Sequence, residues 1–137
     1  MKRDWDLLRK QLTDIEDEKN VLEDIPDEPK WSTQTADEYE QQLKEYTANV
    51  SRIAGHLEML INNGYVEGVH VSRGMDGHFS YGLSGPRLTM AGHDLLDTMR
   101  STTMWETIKA TAKSKGAELT FDVIKTIGAH VLAKMFQ

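Results

Sequence analysis

The chain has 137 residues, a formal net charge of −6 and no cysteine. This length suits one compact domain, and the lack of cysteine excludes disulfides and thiolate metal sites and favours a cytoplasmic location. No stretch approaches the ~20 apolar residues of a transmembrane helix. The opening MKRDWDLLRK also lacks the apolar core of a secretory signal, so no membrane association is expected.

Acidic residues are concentrated in the first third of the chain. Residues 1–46 hold 7 basic and 14 acidic side chains, whereas residues 47–90 are neutral and residues 91–137 carry a balance of +1. Phosphate contacts dominate non-specific nucleic-acid binding, so the acidic third argues against it. A DNA-binding surface would have to lie in the neutral centre.

Two helices are predicted before residue 47. Asp4 can cap a first helix whose apolar residues recur at spacings of three and four: Trp5, Leu8, Leu12 and Ile15. Thr33 or Thr35 can cap a second helix that runs through Tyr46 and is expected to end at a turn near Thr47.

An acidic loop near residues 16–32 separates these two helices. Two prolines stop any helix there, Val21-Leu22 is expected to add a short strand, and Trp31 to pin the loop to the core. The role of the wider acidic segment, residues 14–45, is left open by the sequence.

Residues 49–100 form the stretch around which the chain is organised. Val50, Ile53, Leu57, Leu60 and Ile61 line one face of a helix that Asn63-Gly64 ends. Residues 65–72 then alternate as a strand, the chain turns at Gly74–Gly77, and Phe79, Tyr81, Leu83 and Leu88 carry it back. Thr89 is placed to cap a helix carrying Leu95, Leu96 and Met99. Helix, glycine stop, hairpin and helix are the order of a winged helix-turn-helix.

Two further helices are predicted after Arg100. The first carries Met104, Trp105, Ile108 and Ala112 and ends at Gly116, and Thr120 caps the second. The predicted fold class is therefore α+β and mostly helical: a winged helix-turn-helix with a small β-hairpin wing and additional C-terminal helices. The predicted domains are a winged-helix domain at 1–101 and a helical extension at 102–137.

The last helix offers a dimer surface. Its broad apolar stripe supplies the dimer candidates Ile124, Ile127, Val131, Leu132 and Met135. A homodimer is expected, because one winged-helix domain would leave such a face uncovered. The alternative is that the helix of Trp105 and the first helix cover this face within the monomer.

The outer face of the central helix is the predicted DNA site. A 3.6-residue period turns five base-facing candidates outward, and the wing adds two arginines for phosphates. The base-facing candidates are Asn49, Ser51, Arg52, Gly55 and Met59, and the phosphate candidates are Arg73 and Arg87. The alternative is a neutral structural helix or a protein-binding surface, since residues 49–72 hold one arginine and no lysine.

No residue pattern indicates catalysis, a metal or a cofactor. The five histidines lack the HExxH spacing, although His70 and His78 are considered as facing each other across the hairpin. GLSGP at residues 82–86 does not match GxSxG, and no phosphate-binding loop or dinucleotide fingerprint occurs. The chain is therefore expected not to be an enzyme, and to have no metal site and no cofactor.

Four blocks of the sequence resemble a known family. They are the opening MKRDWDLLRK, HLEMLINNGYVEG, RLTMAGHDLLDTMR and the tryptophan of MWETIK, in that order. They resemble a domain-of-unknown-function family of small bacterial and phage proteins with an MKRDxDLxR opening, an HLxxLxxxG block and an RLTxxGHxxLDxxR block. The resemblance spans most of the chain and implies a winged-helix fold and a frequent prophage origin, but no activity.

Two functions are carried forward. The leading hypothesis is a phage-type DNA-binding transcriptional regulator or accessory protein. The competing hypothesis is a phage-encoded protein-interaction module, an inhibitor or adaptor of a host or defence protein that uses its acidic surface without binding DNA.

Overall fold

The computed structural model describes residues 1–30, 32 and 35–136. These residues form five helices and one antiparallel two-stranded sheet: α1 (Trp5–Glu16), α2 (Ala36–Asn62), β1 (Val66–Arg73), β2 (Phe79–Leu88), α3 (Met90–Met99), α4 (Thr102–Ser114) and α5 (Phe121–Met135). The predicted class, α+β and mostly helical, is confirmed. The predictions for Trp31 and Thr33 lie outside the described residues.

The elements divide into two compact units, Met1–Thr89 and Met90–Gln137. The first holds α1, α2 and the hairpin, and the second holds α3, α4 and α5. The predicted assignment of domains 1–101 and 102–137 stays a prediction. In the described ranges, no helix combines the length and the apolar character needed to cross a membrane.

The start of α1 follows the sequence prediction. The Asp4 carboxylate accepts a hydrogen bond from the Leu7 amide at 3.0 Å and so caps the helix. All four predicted core positions of α1 are buried: Trp5, Leu8, Leu12 and Ile15. The helix therefore buries its apolar stripe within the first unit.

The second helix is longer than predicted. Thr35 and Glu38 form a capping box at its start, and α2 then runs for 27 residues without interruption. The predicted turn near Thr47 is wrong. Apolar side chains recur along the whole helix at alternating spacings of four and three, and no glycine or proline interrupts residues 36–54: Tyr39, Leu43, Tyr46, Val50, Ile53, Leu57 and Leu60.

Residues 17–30 between α1 and α2, called the acidic segment from here on, form turns rather than a strand. Residues 21–24 are in turn conformation, and the Leu22 amide donates to the Asn20 side chain at 3.0 Å. The predicted short strand at Val21-Leu22 is therefore wrong, because Asn20 supplies a local partner that a strand would need from a neighbour. Val21 is nevertheless buried and ties the segment to the core of its unit.

Helix α2 ends at the Asn63-Gly64 stop that the sequence predicted. Gly64 adopts φ +76°, and the Tyr65 amide donates to the Leu60 carbonyl at 2.9 Å, which ends α2. The strands pair from Val66↔Leu88 to Arg73↔Phe79, with a bulge between Glu67 and Val69. Thr89 closes the base of the hairpin, because its hydroxyl donates to the Gly64 carbonyl at 2.5 Å and its amide donates to the Tyr65 carbonyl at 3.0 Å.

The second unit is a three-helix core. Ser101 and Thr120 cap α4 and α5, as Thr120 was predicted to do. Its buried side chains come from all three helices: Leu95, Leu96, Met99, Trp105, Ile108, Ala112, Ile124 and Ile127. Ile124 and Ile127, predicted at a dimer surface, are therefore core residues, because α3 and α4 cover the inner face of α5.

The helices α3 and α5 approach each other closely at Gly128. A Cβ added there would overlap the Thr98 methyl group. We therefore expect Gly128→Ala to destabilise the second unit by roughly 1–2 kcal/mol, although alanine normally favours a helix by about 1 kcal/mol over glycine. Adding Thr98→Ser should restore stability in denaturation curves, because serine removes the methyl and keeps the hydroxyl that donates to the Asp94 carbonyl. Stabilisation by Gly128→Ala alone would contradict this packing.

Candidate functional site

One of the five residues predicted to face outward from α2 is buried. Asn49 and Arg52 are exposed and Ser51 and Met59 are half-buried, but Gly55 is buried. The expectation that Gly55 faces outward is wrong, because Met1 covers it: a Cβ at Gly55 would lie 2.7 Å from Met1 Cε. A glycine at this position lets the N-terminal segment approach the helix.

Three side chains bind the N-terminal segment to α2. His56 is fully buried, and its Nε2 accepts a hydrogen bond from the Asp4 amide at 2.8 Å. Its Nδ1 lies 2.6 Å from the Arg52 carbonyl, so the ring is neutral with its proton on Nδ1. Arg52 Nη2 in turn donates to Asp4 Oδ2 at 2.7 Å. We call Asp4, Arg52 and His56 the N-terminal cluster.

The pKa of the Asp4 carboxyl is lowered from its usual value. The Leu7 amide contributes most, followed by the hydrogen bond from Arg52, and partial burial opposes both. Because Asp4 and Arg52 are both partly exposed, their ion pair contributes at most about 1 kcal/mol. Its main effect is therefore positional: the guanidinium proposed for base contacts is held against a carboxylate.

The wing arginines are held in the same way. Arg73 makes a two-pronged contact with Glu58 of α2, with Nε and Nη2 at 3.1 and 2.8 Å from Oε1, and its guanidinium lies over the Phe79 ring at 4.7 Å. Arg87 pairs with Glu67 across the hairpin at 2.9 Å. All three arginines predicted to contact DNA thus have carboxylate partners, and the first unit has a net charge of −7 from 10 basic and 17 acidic residues.

A pocket of about 210 Å³ opens between α2, the wing tip and the acidic segment. We call it the α2–wing pocket. Its apolar floor comes from Leu43 and Val50 of α2, and polar and aromatic groups complete it. Its lining is Glu28, Leu43, Tyr46, Thr47, Val50, Ser51, Gly77, His78 and Phe79.

Charged and phenolic groups around this pocket interact with one another. His78 Nδ1 lies 2.9 Å from Asp76 Oδ2, and this hydrogen bond is the main cause that raises the pKa of His78 and lowers that of Asp76. Burial raises the pKa of the Tyr46 phenol, and a hydrogen bond with Tyr81 and the nearby Glu28 raise it further.

His70 pairs with Gly82 in the sheet, so the predicted His70–His78 juxtaposition is wrong.

Apolar side chains are exposed beside the pocket and at the end of α5. Met75 at the wing tip is fully exposed, and Tyr81 and Leu83 of β2 are 38 % and 40 % exposed. In the second unit Leu132, Met135 and Phe136 are exposed, while Val131 is half-buried. Self-association through Val131, Leu132 and Met135 stays a prediction.

The α2–wing pocket was not predicted from the sequence. Ser51 was singled out for DNA and His78 for a metal, but Glu28, Tyr46 and Thr47 were assigned to separate structural features. The available signal was the half-buried stripe of Tyr39, Leu43 and Tyr46, which continues into the buried stripe of α2. Among the residues that the structure describes, no three histidine or carboxylate side chains are close enough to hold a metal ion.

Together these features define a small, mostly helical α+β protein with one antiparallel hairpin and an acidic first unit. The chain belongs to the family described as "Hypothetical protein (DUF2513)", whose model matches residues 2–118. It is also 28 % identical over 137 residues, covering 98 % of both chains, to an "Uncharacterized protein" of Haemophilus influenzae (strain ATCC 51907 / DSM 11121 / KW20 / Rd). No solved structure matches the chain. The predicted resemblance to a family of unknown function is confirmed. The winged-helix fold and the prophage origin that it implied stay predictions.

Proposed function

We propose that the protein is a protein-interaction module, an inhibitor or adaptor that binds a basic surface of another protein. The observation that supports this proposal best is the state of the arginines on the α2 and wing face. Arg52, Arg73 and Arg87 each pair with a carboxylate, which offsets their positive charge and disfavours phosphate contacts at this face. The net charge of −7 on the first unit suits a basic partner instead.

We further propose that the first unit is a winged-helix variant that acts as a rigid frame. A helix, a glycine stop and an antiparallel hairpin follow one another as in winged helices. The uninterrupted α2 replaces the short helix and turn that usually precede a DNA-reading helix. The exposed Met75, Tyr81 and Leu83 of the wing add apolar area for a protein contact. A prophage origin would fit a partner among host or defence proteins.

The test compares protein capture and DNA binding by the same full chain. Proteins retained from host lysate on the immobilised chain would be identified, and their retention would be measured as the salt concentration rises. Neutralising Glu23 and Asp27 in the acidic segment (Glu23→Gln, Asp27→Asn) should weaken the binding of a basic partner severalfold. Binding of that partner to the unmodified chain should be stronger at low salt. The matched control neutralises two exposed carboxylates of the second unit, Asp94→Asn and Glu118→Gln, and should leave capture unchanged.

DNA binding is the outcome that would contradict the proposal. Pooled fragments of the neighbouring genomic DNA would be added at low salt and followed by fluorescence anisotropy. We expect no saturable binding. Sequence-specific binding that weakens as salt rises and is lost in a folded Arg52→Gln variant would instead establish the DNA-binding regulator.

A further inference from the structure

We propose that the α2–wing pocket receives a basic side chain, an arginine or lysine, carried by an exposed segment of the protein partner. This inference rests on the proposed function and names the chemistry of the partner at one position. The pocket lies at the junction of the acidic segment, α2 and the wing tip, so a chain crossing this face of the first unit would pass over it.

The size of the pocket favours a side chain over a larger ligand. Pockets for drug-sized ligands and cofactors span roughly 300–1,000 Å³. The α2–wing pocket, at about 210 Å³, is smaller. Its floor of Leu43 and Val50 suits the methylene stem of an arginine or lysine, which is itself apolar.

The polar groups of the pocket suit a cation at the tip of that stem. The Glu28 carboxylate makes no hydrogen bond or ion pair with any described residue, and it lies close enough to Tyr46 and His78 to affect both electrostatically. The ring of Tyr46 can face a guanidinium, and the Thr47 and Ser51 hydroxyls can accept its hydrogen bonds.

The fixed positive charge next to the pocket is already paired: Arg73, whose guanidinium lies over the Phe79 ring at 4.7 Å, binds Glu58 at 2.8 Å. The residues of the pocket lining include neither lysine nor arginine. His78 is the one lining residue that can become positive, and Asp76 lies 2.9 Å from it. The Asp76–His78 pair is therefore neutral when the imidazole is protonated and negative when it is not, so the rim never adds net repulsion.

The experiment titrates the full chain with N-acetyl-arginine amide and follows backbone amide signals by two-dimensional NMR. The neutral isostere N-acetyl-citrulline amide is the ligand control. We expect saturable shifts at Thr47, Ser51 and Gly77 with the arginine compound only. Glu28→Gln should weaken binding about tenfold, the effect of losing one charge-assisted hydrogen bond. Glu23→Gln removes the same charge from the same segment outside the pocket and should bind like the wild type.

Several outcomes would overturn the proposal: no saturable shifts at the pocket, equal shifts with the citrulline compound, or equal binding by Glu28→Gln. If capture of a basic partner persists while the arginine compound does not bind, this proposal fails and the proposed function stands. If the arginine compound binds but no partner depends on the acidic segment, the proposed function fails. The ligand of the pocket would then be a free organic cation and not a side chain of a protein partner.

Discussion

Replacing Gly68 with alanine should destabilise the first unit by about 3 kcal/mol, combining the cost of a left-handed backbone with steric overlap. Gly68 has φ +77°, a conformation that side chains with a Cβ adopt at a cost. A Cβ there would also lie 2.6 Å from the Ser84 carbonyl oxygen and overlap the Gly85 carbonyl. Both neighbours are backbone atoms at the bulge where β2 carries extra residues opposite Gly68, so neither can rotate away.

The matched control for Gly68 is Gly85 on the facing strand. Gly85 also has a positive φ, +62°, but a Cβ there would meet no atom within 4 Å. We expect Gly85→Ala to cost only the conformational part, about 1 kcal/mol. Chemical denaturation followed by circular dichroism would measure both variants. Equal losses would show that backbone conformation alone, and not the close approach at the bulge, sets the cost.

The second large loss of stability is expected when His56 is replaced. Truncation by His56→Ala leaves the Asp4 amide and the Arg52 carbonyl without their imidazole partner and opens a cavity at a fully buried position. We expect a loss of about 3 kcal/mol in the free energy of unfolding, from an unsatisfied amide and lost packing together. Thermal denaturation of the variant would measure this loss. His70→Ala, at an exposed wing position, is the control and should change stability by less than about 0.5 kcal/mol.

A spectroscopic measurement separates the hydrogen-bonding role of His56 from its contribution to packing. Nitrogen chemical shifts of the His56 ring should show a neutral imidazole with its proton on Nδ1, because Nε2 accepts from the Asp4 amide. The N-terminal residues should also lose protection from hydrogen exchange in His56→Ala before the rest of the unit does. A proton on Nε2 would contradict the hydrogen bond that joins the N-terminal segment to α2.

Local signals in the sequence were sufficient to predict most element boundaries. Asp4 and Thr120 cap helices through contacts with residues three positions away, and Gly64 ends α2 through its own backbone. The turn near Thr47 was predicted without such a signal. The continuous apolar period across that residue is the stronger evidence, since a stripe that keeps its phase across a position indicates one helix.

Contacts between residues distant in sequence were not predictable. The Asp4–Arg52 pair joins residues 48 positions apart, and the sequence alone presents Arg52 as an exposed cation. Glu28 belongs to a segment with no periodic pattern, so nothing placed it beside His78. The apolar stripe of α5 was visible, but a stripe does not show whether a helix of the same chain or a second chain covers it, which is why Ile124 and Ile127 were assigned to a dimer.

The uninterrupted α2 constrains how the length of this chain can vary. Each residue inserted in a helix rotates everything beyond it by roughly 100°, so one insertion before Val50 would turn the Tyr39, Leu43 and Tyr46 stripe away from the wing tip and the acidic segment. A change close to a whole number of turns, such as about seven residues, would return the stripe to its original side. Functional relatives should therefore differ in length within the acidic segment, where turns can absorb extra residues, and should preserve the residue count between the capping box and Gly64.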